Sequence, residues 1–167
     1  NADRLAYAID GSKAVTGYRY DGDGNQIQTV QYAAAYGSTG AAPLSAFQSW
    51  ANANANPTND RVSGAQYDGA GRVVATYDAM GVSVAYFFDG EGRQTKKIEY
   101  ANLAPASCGG AWTAPSASSN DRVTRAVYDA VGDEVYSVDP ASYVVQKVYR
   151  SDRQLSQVVA YVTGYSI

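Results

Sequence analysis

The sequence predicts an all-β chain, an antiparallel meander of short hairpins with loop or short-helix insertions between blocks. Three observations predict it. One turn signature recurs, the turns fall at even intervals, and the residues between them alternate as strands do. The signature is an aromatic residue, Asp, two variable residues and usually Gly. It reads Tyr20-Asp21-Gly22-Asp23-Gly24, Tyr67-Asp68-Gly69-Ala70-Gly71, Tyr77-Asp78-Ala79-Met80-Gly81, Phe88-Asp89-Gly90-Glu91-Gly92 and Tyr128-Asp129-Ala130-Val131-Gly132. Asp68 to Asp78 and Asp129 to Asp139 are 10 residues each, while Asp10 to Asp21 and Asp78 to Asp89 are 11. That spacing leaves room for one strand of ordinary length between turns.

Each residue of the signature has a reason. Asp at the first position of a type I turn accepts backbone N–H bonds from further round it, and Gly at the fourth tolerates positive φ. The candidate structural-turn residues are therefore Asp10, Asp21, Gly24, Asp68, Gly71, Asp78, Gly81, Asp89, Gly92, Asp129, Gly132 and Asp139. Pro140 sits at the second turn position, where its fixed φ fits. The aromatic residue closes the preceding strand, and successive aromatics are expected to stack across strands. After Gly92 the run 93–100 puts charge on one face and reads as half-buried; after Gly81 the run 82–88 is apolar on both faces and reads as covered on both.

A longer period lies above the short one. Asn59-Asp60-Arg61-Val62 returns as Asn120-Asp121-Arg122-Val123, a step of 61, and Asp10, Asp21 and Tyr32 fall on Asp78, Asp89 and Tyr100 at a step of 68. The chain divides into blocks 1–32, 60–100 and 121–161, joined by linkers 33–59 and 101–120, and forms a single repeat array over 1–167. Asn1 corresponds to Gly69, inside a turn, so the chain reads as a piece of a longer array. In the first linker Pro43 opens a helix with Leu44, Phe47 and Ala51 on one face, and the Ala/Asn alternation 51–56 is expected to fray. The second linker is richer in Gly, Ser and Pro and reads as loop. Trp50 and Trp112, one in each linker, are expected to plug onto the sheet. In the third block Ser142 and Arg153 stand where Gly is expected and Arg150 where Asp is, so those turns are either looser or of another form.

Composition removes several kinds of chemistry. There is no His in the chain, which removes the commonest general base and metal ligand. Seven of the Asp and Glu residues, 16 in all, are assigned to turns, so no catalytic residue, metal or cofactor is expected. Asp21-Gly22-Asp23-Gly24-Asn25 resembles the start of a calcium loop, yet its twelfth position is Tyr32, where a bidentate Glu is required. A net charge of −3 without a basic stripe argues against nucleic acid. No apolar run approaches the roughly 20 residues of a membrane span. Cys108 is the only cysteine, so it reads as an incidental loop thiol or, alternatively, a cross-link to another chain.

Tyr67-Asp68-Gly69-Ala70-Gly71-Arg72-Val73, with four further signatures at matching intervals, resembles the YD repeat of Rhs proteins, toxin-complex shells and teneurins. Residues 121–129 are similar to the start of such a repeat. The resemblance implies a β-sheet that spirals into a hollow shell, a structural scaffold that encloses a toxin cargo or builds a surface structure. It also implies a secreted or bacterial cell-surface location. The Asp-Pro self-cleavage motif of many Rhs shells has no convincing counterpart, because Asp139-Pro140 lies at an ordinary repeat turn. The expected partners are neighbouring repeats of a longer chain, or self-association through open sheet edges. The alternative is an adhesive module that binds carbohydrate or a cell surface through a tyrosine-rich face, since Tyr supplies 15 residues. Exposed coplanar Tyr rings along a groove would favour that alternative; packed rings would favour the scaffold.

Overall fold

The computed structural model describes residues 4–37, 43–104 and 112–161; Cys108 lies outside the described residues. These form strands β1 (Tyr7–Ile9), β2 (Ala14–Tyr20), β3 (Gln26–Ala35), β4 (Arg61–Tyr67), β5 (Val73–Tyr77), β6 (Ser83–Phe88), β7 (Gln94–Glu99), β8 (Arg122–Tyr128), β9 (Glu134–Val138), β10 (Val144–Tyr149) and β11 (Leu155–Ala160). One helix, α1 (Leu44–Asn54), lies between β3 and β4. The fold is all-β and antiparallel. It divides into two compact units, Asn1–Ser83 with Leu103–Pro115, and Val84–Asn102 with Ser116–Ile167.

In the first unit β1 to β5 pair in chain order, each antiparallel to the next. In the second, β6 to β11 do the same. A meander of this kind sends alternate turns to opposite edges. The turns at Asp21 and Asp68 emerge at one edge of the first unit, and those at Asp10 and Asp78 with the first linker at the other. In the second unit the turns at Asp89, Asp129 and Arg150 share an edge opposite Asp139 and the second linker's base.

The two edges differ in register. In β4–β5, Gln66 faces Ala75 but Tyr67 faces Val73, so Val74 is the extra residue of a bulge. The same slip falls just before the aromatic residue in β2–β3, β6–β7, β8–β9 and β10–β11. The β1–β2 and β9–β10 pairs run without one. The β2–β3 pair slips a second time between Ala14 and Thr16, toward the other edge, and each slip raises the local twist.

The core is one face of the first unit. Val15, Val30 and Val62 are buried there, with Ala75 and the polar Gln28 beside them. Gly17 and Gly64 belong to the same face, and each is flat because a tyrosine lies over it. A Cβ on Gly64 would come within 2.6 Å of the Tyr77 hydroxyl, and one on Gly17 within 3.1 Å of the Tyr7 ring. Both pairs are in register, Gly64 with Tyr77 and Gly17 with Tyr7. Helix α1 closes this face: Phe47 packs on Tyr7 and Tyr36, and Trp50 on Tyr32 and Tyr36, with ring centroids 4.6–5.8 Å apart. In the second unit Ala85 is the only residue fully buried among the described ones.

Several expectations differ in detail. Leu44 is 52% exposed, so the packed face of α1 is Phe47, Trp50 and Ala51. The helix does not fray after Ala51 but continues to Asn54, whose Nδ2 donates to the Trp50 carbonyl. Strand β6 is closed at Ser83 and Ala85 but Phe87 is 40% exposed, so it is not covered on both faces throughout. The turns at Ser142 and Arg153 are neither looser nor of another form. Both residues take the positive φ of the glycines they replace (67° and 65°), as does Lys13 at 69°.

Candidate functional site

The turns are the repeated chemical feature, and their geometry is uniform. In Asp68-to-Arg72 the Gly71 N–H donates to the Asp68 carbonyl at 2.9 Å and the Asp68 N–H to the Arg72 carbonyl at 2.9 Å. Asp68 Oδ1 accepts the N–H groups of Ala70 and Arg72, and its Oδ2 accepts Arg72 Nε at 2.7 Å. Asp89 repeats this with Glu91 and Arg93. Asp10, Asp78, Asp129 and Asp139 each accept the N–H groups two and four residues on. Gly24, Gly71, Gly81, Gly92 and Gly132 hold φ between 76° and 99°. This is a type I turn followed by a left-handed residue, the usual form of a three-residue hairpin loop.

Asp21 differs in taking Gly24, Asn25 N–H and Asn25 Nδ2 as its donors. The calcium-like run therefore turns its Asn inward to a carboxylate of the same loop. Among the described residues no group of three or more acidic or sulfur ligands is assembled for a metal.

In the turns of Asp10, Asp21, Asp68 and Asp89 the bracing bonds hold the carboxyl below the usual range. For Asp10 the Ser12 hydroxyl leads, for Asp21 the Asn25 side chain, and for Asp68 the Arg72 N–H. For Asp89 desolvation pulls upward most strongly, but the backbone and side-chain bonds from Arg93, with its charge, together outweigh it.

Adjacent tips on the bulged edge lock together. Three tyrosines that precede turns reach back along the sheet. Tyr128 donates its hydroxyl to the Gln94 carbonyl at 3.1 Å, Tyr149 to that of Glu134 at 3.2 Å, and Tyr20 to that of Leu5 at 3.2 Å. Arginines also join neighbouring tips. Arg93 donates from Nη1 to the Asp129 carbonyl at 3.2 Å, and its guanidinium lies 4.9 Å from the Tyr128 ring centroid. Arg4 does the same to Asp21 and Tyr20, and Arg153 forks onto Asp133. Such stacked and hydrogen-bonded arginines combine a directional bond with a cation–π contact.

A second device ties the linkers, and it went unread in the sequence although its signal was there. Both linkers follow Tyr-Ala and end at Asn-Asp-Arg-Val. Asp60 accepts Ala33 N–H and Asn56 N–H, both at 2.8 Å; Asp121 accepts Ala101 N–H at 2.8 Å and Ser118 N–H at 3.0 Å. One carboxylate thus clasps the two ends of each insertion. The second linker also folds onto the first unit. Ala104 N–H donates to the Gly81 carbonyl, Trp112 Nε1 to Ser83 Oγ at 3.3 Å, and Gln66 Nε2 to the Trp112 carbonyl at 3.1 Å. Trp112 there lines an open hollow of about 480 Å³ with Arg19, Gln28, Gln66 and Tyr77. Asp21, the one carboxylate of that hollow, is already engaged in its turn.

Residues 67–102 match the family model described as RHS Repeat. The fold matches the crystal structure of TcdB2-TccC3-Cdc42 over 98% of this chain and 8% of that one, at a TM-score of 0.57 and 12% identity. It matches TcdB2-TccC3 without its hypervariable C-terminal region over the same shares, again at 0.57 and 12%. TcdB2-TccC3-TEV gives 0.51 and 15% over 93% of this chain and 7% of that one. No curated protein matches the sequence. The chain spans less than a tenth of the length of the solved chains it resembles. It carries a YD repeat of the Rhs kind on an antiparallel sheet of the toxin-complex fold.

Proposed function

We propose that this YD-repeat chain is non-catalytic wall material of an Rhs-like shell or fibre, a single array whose partners are further repeats. The observation that carries this is the use made of the repeat tyrosines. Tyr20, Tyr128 and Tyr149 spend their hydroxyls on carbonyls of the neighbouring hairpin, so their polar tips join wall elements to each other. A glycan platform needs those hydroxyls and ring faces free. Tyr7, Tyr32 and Tyr36 are likewise packed under Phe47 and Trp50. The turn carboxylates are committed to backbone N–H groups, which supports a bracing role over acid–base work. By likeness to its family, the wall encloses a toxin cargo or builds an extracellular structure, in a secreted or cell-surface setting.

The test pairs stability with ligand screening. Tyr128→Phe and Tyr149→Phe are each expected to lower the unfolding free energy by about 1 kcal/mol, the net worth of one hydrogen bond. The unaltered chain is expected to give no signal on a glycan array. Phe variants of full stability, together with specific glycan binding that those variants lose, would overturn the scaffold reading in favour of adhesion.

A further inference from the structure

Shifting the first unit by the internal period lays it on the second. Gln28 falls on Lys96 at the step of 68, and Gly64 on Arg125 at the step of 61. Gln28 and Gly64 are directly opposed across β3–β4, and Lys96 and Arg125 across β7–β8. The two pairs occupy the same place in the repeat, with opposite outcomes. In the first unit the place is closed. Gln28 is 2% exposed, with its carboxamide between Arg19 Nη1 and the Tyr77 hydroxyl, and Trp112 lies beside it along the hollow.

In the second unit that place holds two cations. Like charges directly opposed on a sheet repel. Among the described residues, the ion pairs of this unit engage Arg93, Lys97, Arg122, Lys147 and Arg153, and neither Lys96 nor Arg125. Nearby carboxylates are committed: Glu99 to Lys97 and Arg122, Glu134 to Lys147, and Asp139 to its own turn. Lys96 Nζ rests 3.8 Å from the Phe87 ring centroid, which leaves the repulsion with Arg125 in place. The row is flanked by apolar side chains. Phe87 opposes Lys96, Val138 opposes Arg125 and Val144 opposes Val138. One step on, exposed Val127 opposes exposed Tyr136.

We propose that this face of the second unit binds an acidic polypeptide segment, with a carboxylate between Lys96 and Arg125 and its apolar neighbours on Phe87, Val127 and Tyr136. A polypeptide is the occupant because a polypeptide, the Trp112 segment, lies against the neighbouring positions of this face in the first unit, Gln66 and Ser83, which fall on Val127 and Val144 at the step of 61. Two isolated cations among apolar side chains do not track a phosphate backbone, and a chain of net charge −3 repels a polyanion as a whole. The inference holds whether or not the chain serves as shell wall.

The experiment is fluorescence anisotropy on the 167-residue chain with a fluorescein-labelled Gly-Asp-Leu-Trp-Glu-Leu-Gly peptide. The same peptide with Lys in both acidic places is the control. The acidic peptide is expected to bind, more weakly at about 300 mM than at about 50 mM salt. The Lys96→Gln/Arg125→Gln double variant is expected to lose about tenfold or more in affinity, one lost charge-assisted bond being sufficient. Its melting temperature is expected to hold or rise, because a repulsion is removed; if it does not fold, Lys96→Gln alone serves. Lys97→Gln/Arg122→Gln removes the same charge from the opposite face and is expected to leave affinity unchanged. The proposal is overturned by no binding, by equal loss in both double variants, or by a tetra-uronate or single-stranded DNA competing as well as the acidic peptide.

Discussion

Two kinds of aspartate do different work in this chain: some clasp the ends of a linker and others brace a turn. Asp60 is 5% exposed and clasps two backbone N–H groups at the base of the first linker. Asp60→Ala strands both donors away from water, and is expected to cost about 3 kcal/mol in urea unfolding. Asp121 makes the same clasp in a half-exposed place, where water substitutes, so Asp121→Ala is expected to cost about 1 kcal/mol. Equal costs would count against burial as the cause. The turn aspartates give a pH signature instead. Asp10, Asp21, Asp68 and Asp89 are more acidic folded than unfolded. Their contribution is therefore present above the unfolded value of about 3.9 and lost as pH falls through the folded values. A pH series of melting temperatures is expected to stay flat down to about pH 4 and drop below it. Asp68→Asn and Asp89→Asn together should make that drop shallower. The turn aspartates were legible from spacing alone. The clasps were not, because a turn announces itself within five residues whereas Asp60 meets Ala33 from 27 residues away.

At the scale of the element, the hairpin tolerates sequence loss because its backbone bonds define it. Asp139 keeps the full turn with Ser142 where glycine belongs, and Arg150 keeps it without the opening carboxylate: Arg153 N–H still donates to the Arg150 carbonyl at 2.9 Å, and Asp152 Oδ1 accepts the Gln154 N–H at 3.1 Å. Ser142 nevertheless holds φ at 67°, a left-handed conformation that costs a side-chain-bearing residue roughly 1 kcal/mol. Ser142→Gly is expected to raise stability by about 0.5–1 kcal/mol, and Gly71→Ala, its converse, to lower it by about 1 kcal/mol. Thermal unfolding of the two variants checks the sign; a destabilised Ser142→Gly would mean the hydroxyl supplies something the φ argument omits. The strands themselves were readable from alternation. The bulges were not, since the slip just before Tyr67 or Tyr128 leaves the local pattern of residue types unchanged. The forward reach of Arg93 also escaped, because its target Asp129 is set by strand order rather than by neighbourhood in the chain.

At the scale of the molecule, the two units are built from one repeat but insulated differently. Val30 and Val62 are buried in the first unit, while their counterparts further along the repeat, Ile98 and Val123, are only half-buried. The difference traces to the insertions, since α1 covers β1 to β3 and the Trp112 segment turns back onto Gln66 and Ser83. Local opening free energy follows buried apolar contact, so strands of identical hydrogen bonding need not be equally protected. Hydrogen exchange followed by mass spectrometry is expected to find the slowest amides in β2, β3 and β4. The fastest strand amides are expected in β10 and β11, by at least about a hundredfold, or roughly 3 kcal/mol. Uniform protection would mean that the hairpin bonds and tip clamps carry stability by themselves. The graded outcome would mean that this repeat sheet depends on what lies against its face. Adding the acidic peptide is then expected to slow exchange in β7 and β8 first, because Lys96 and Arg125 belong to those strands.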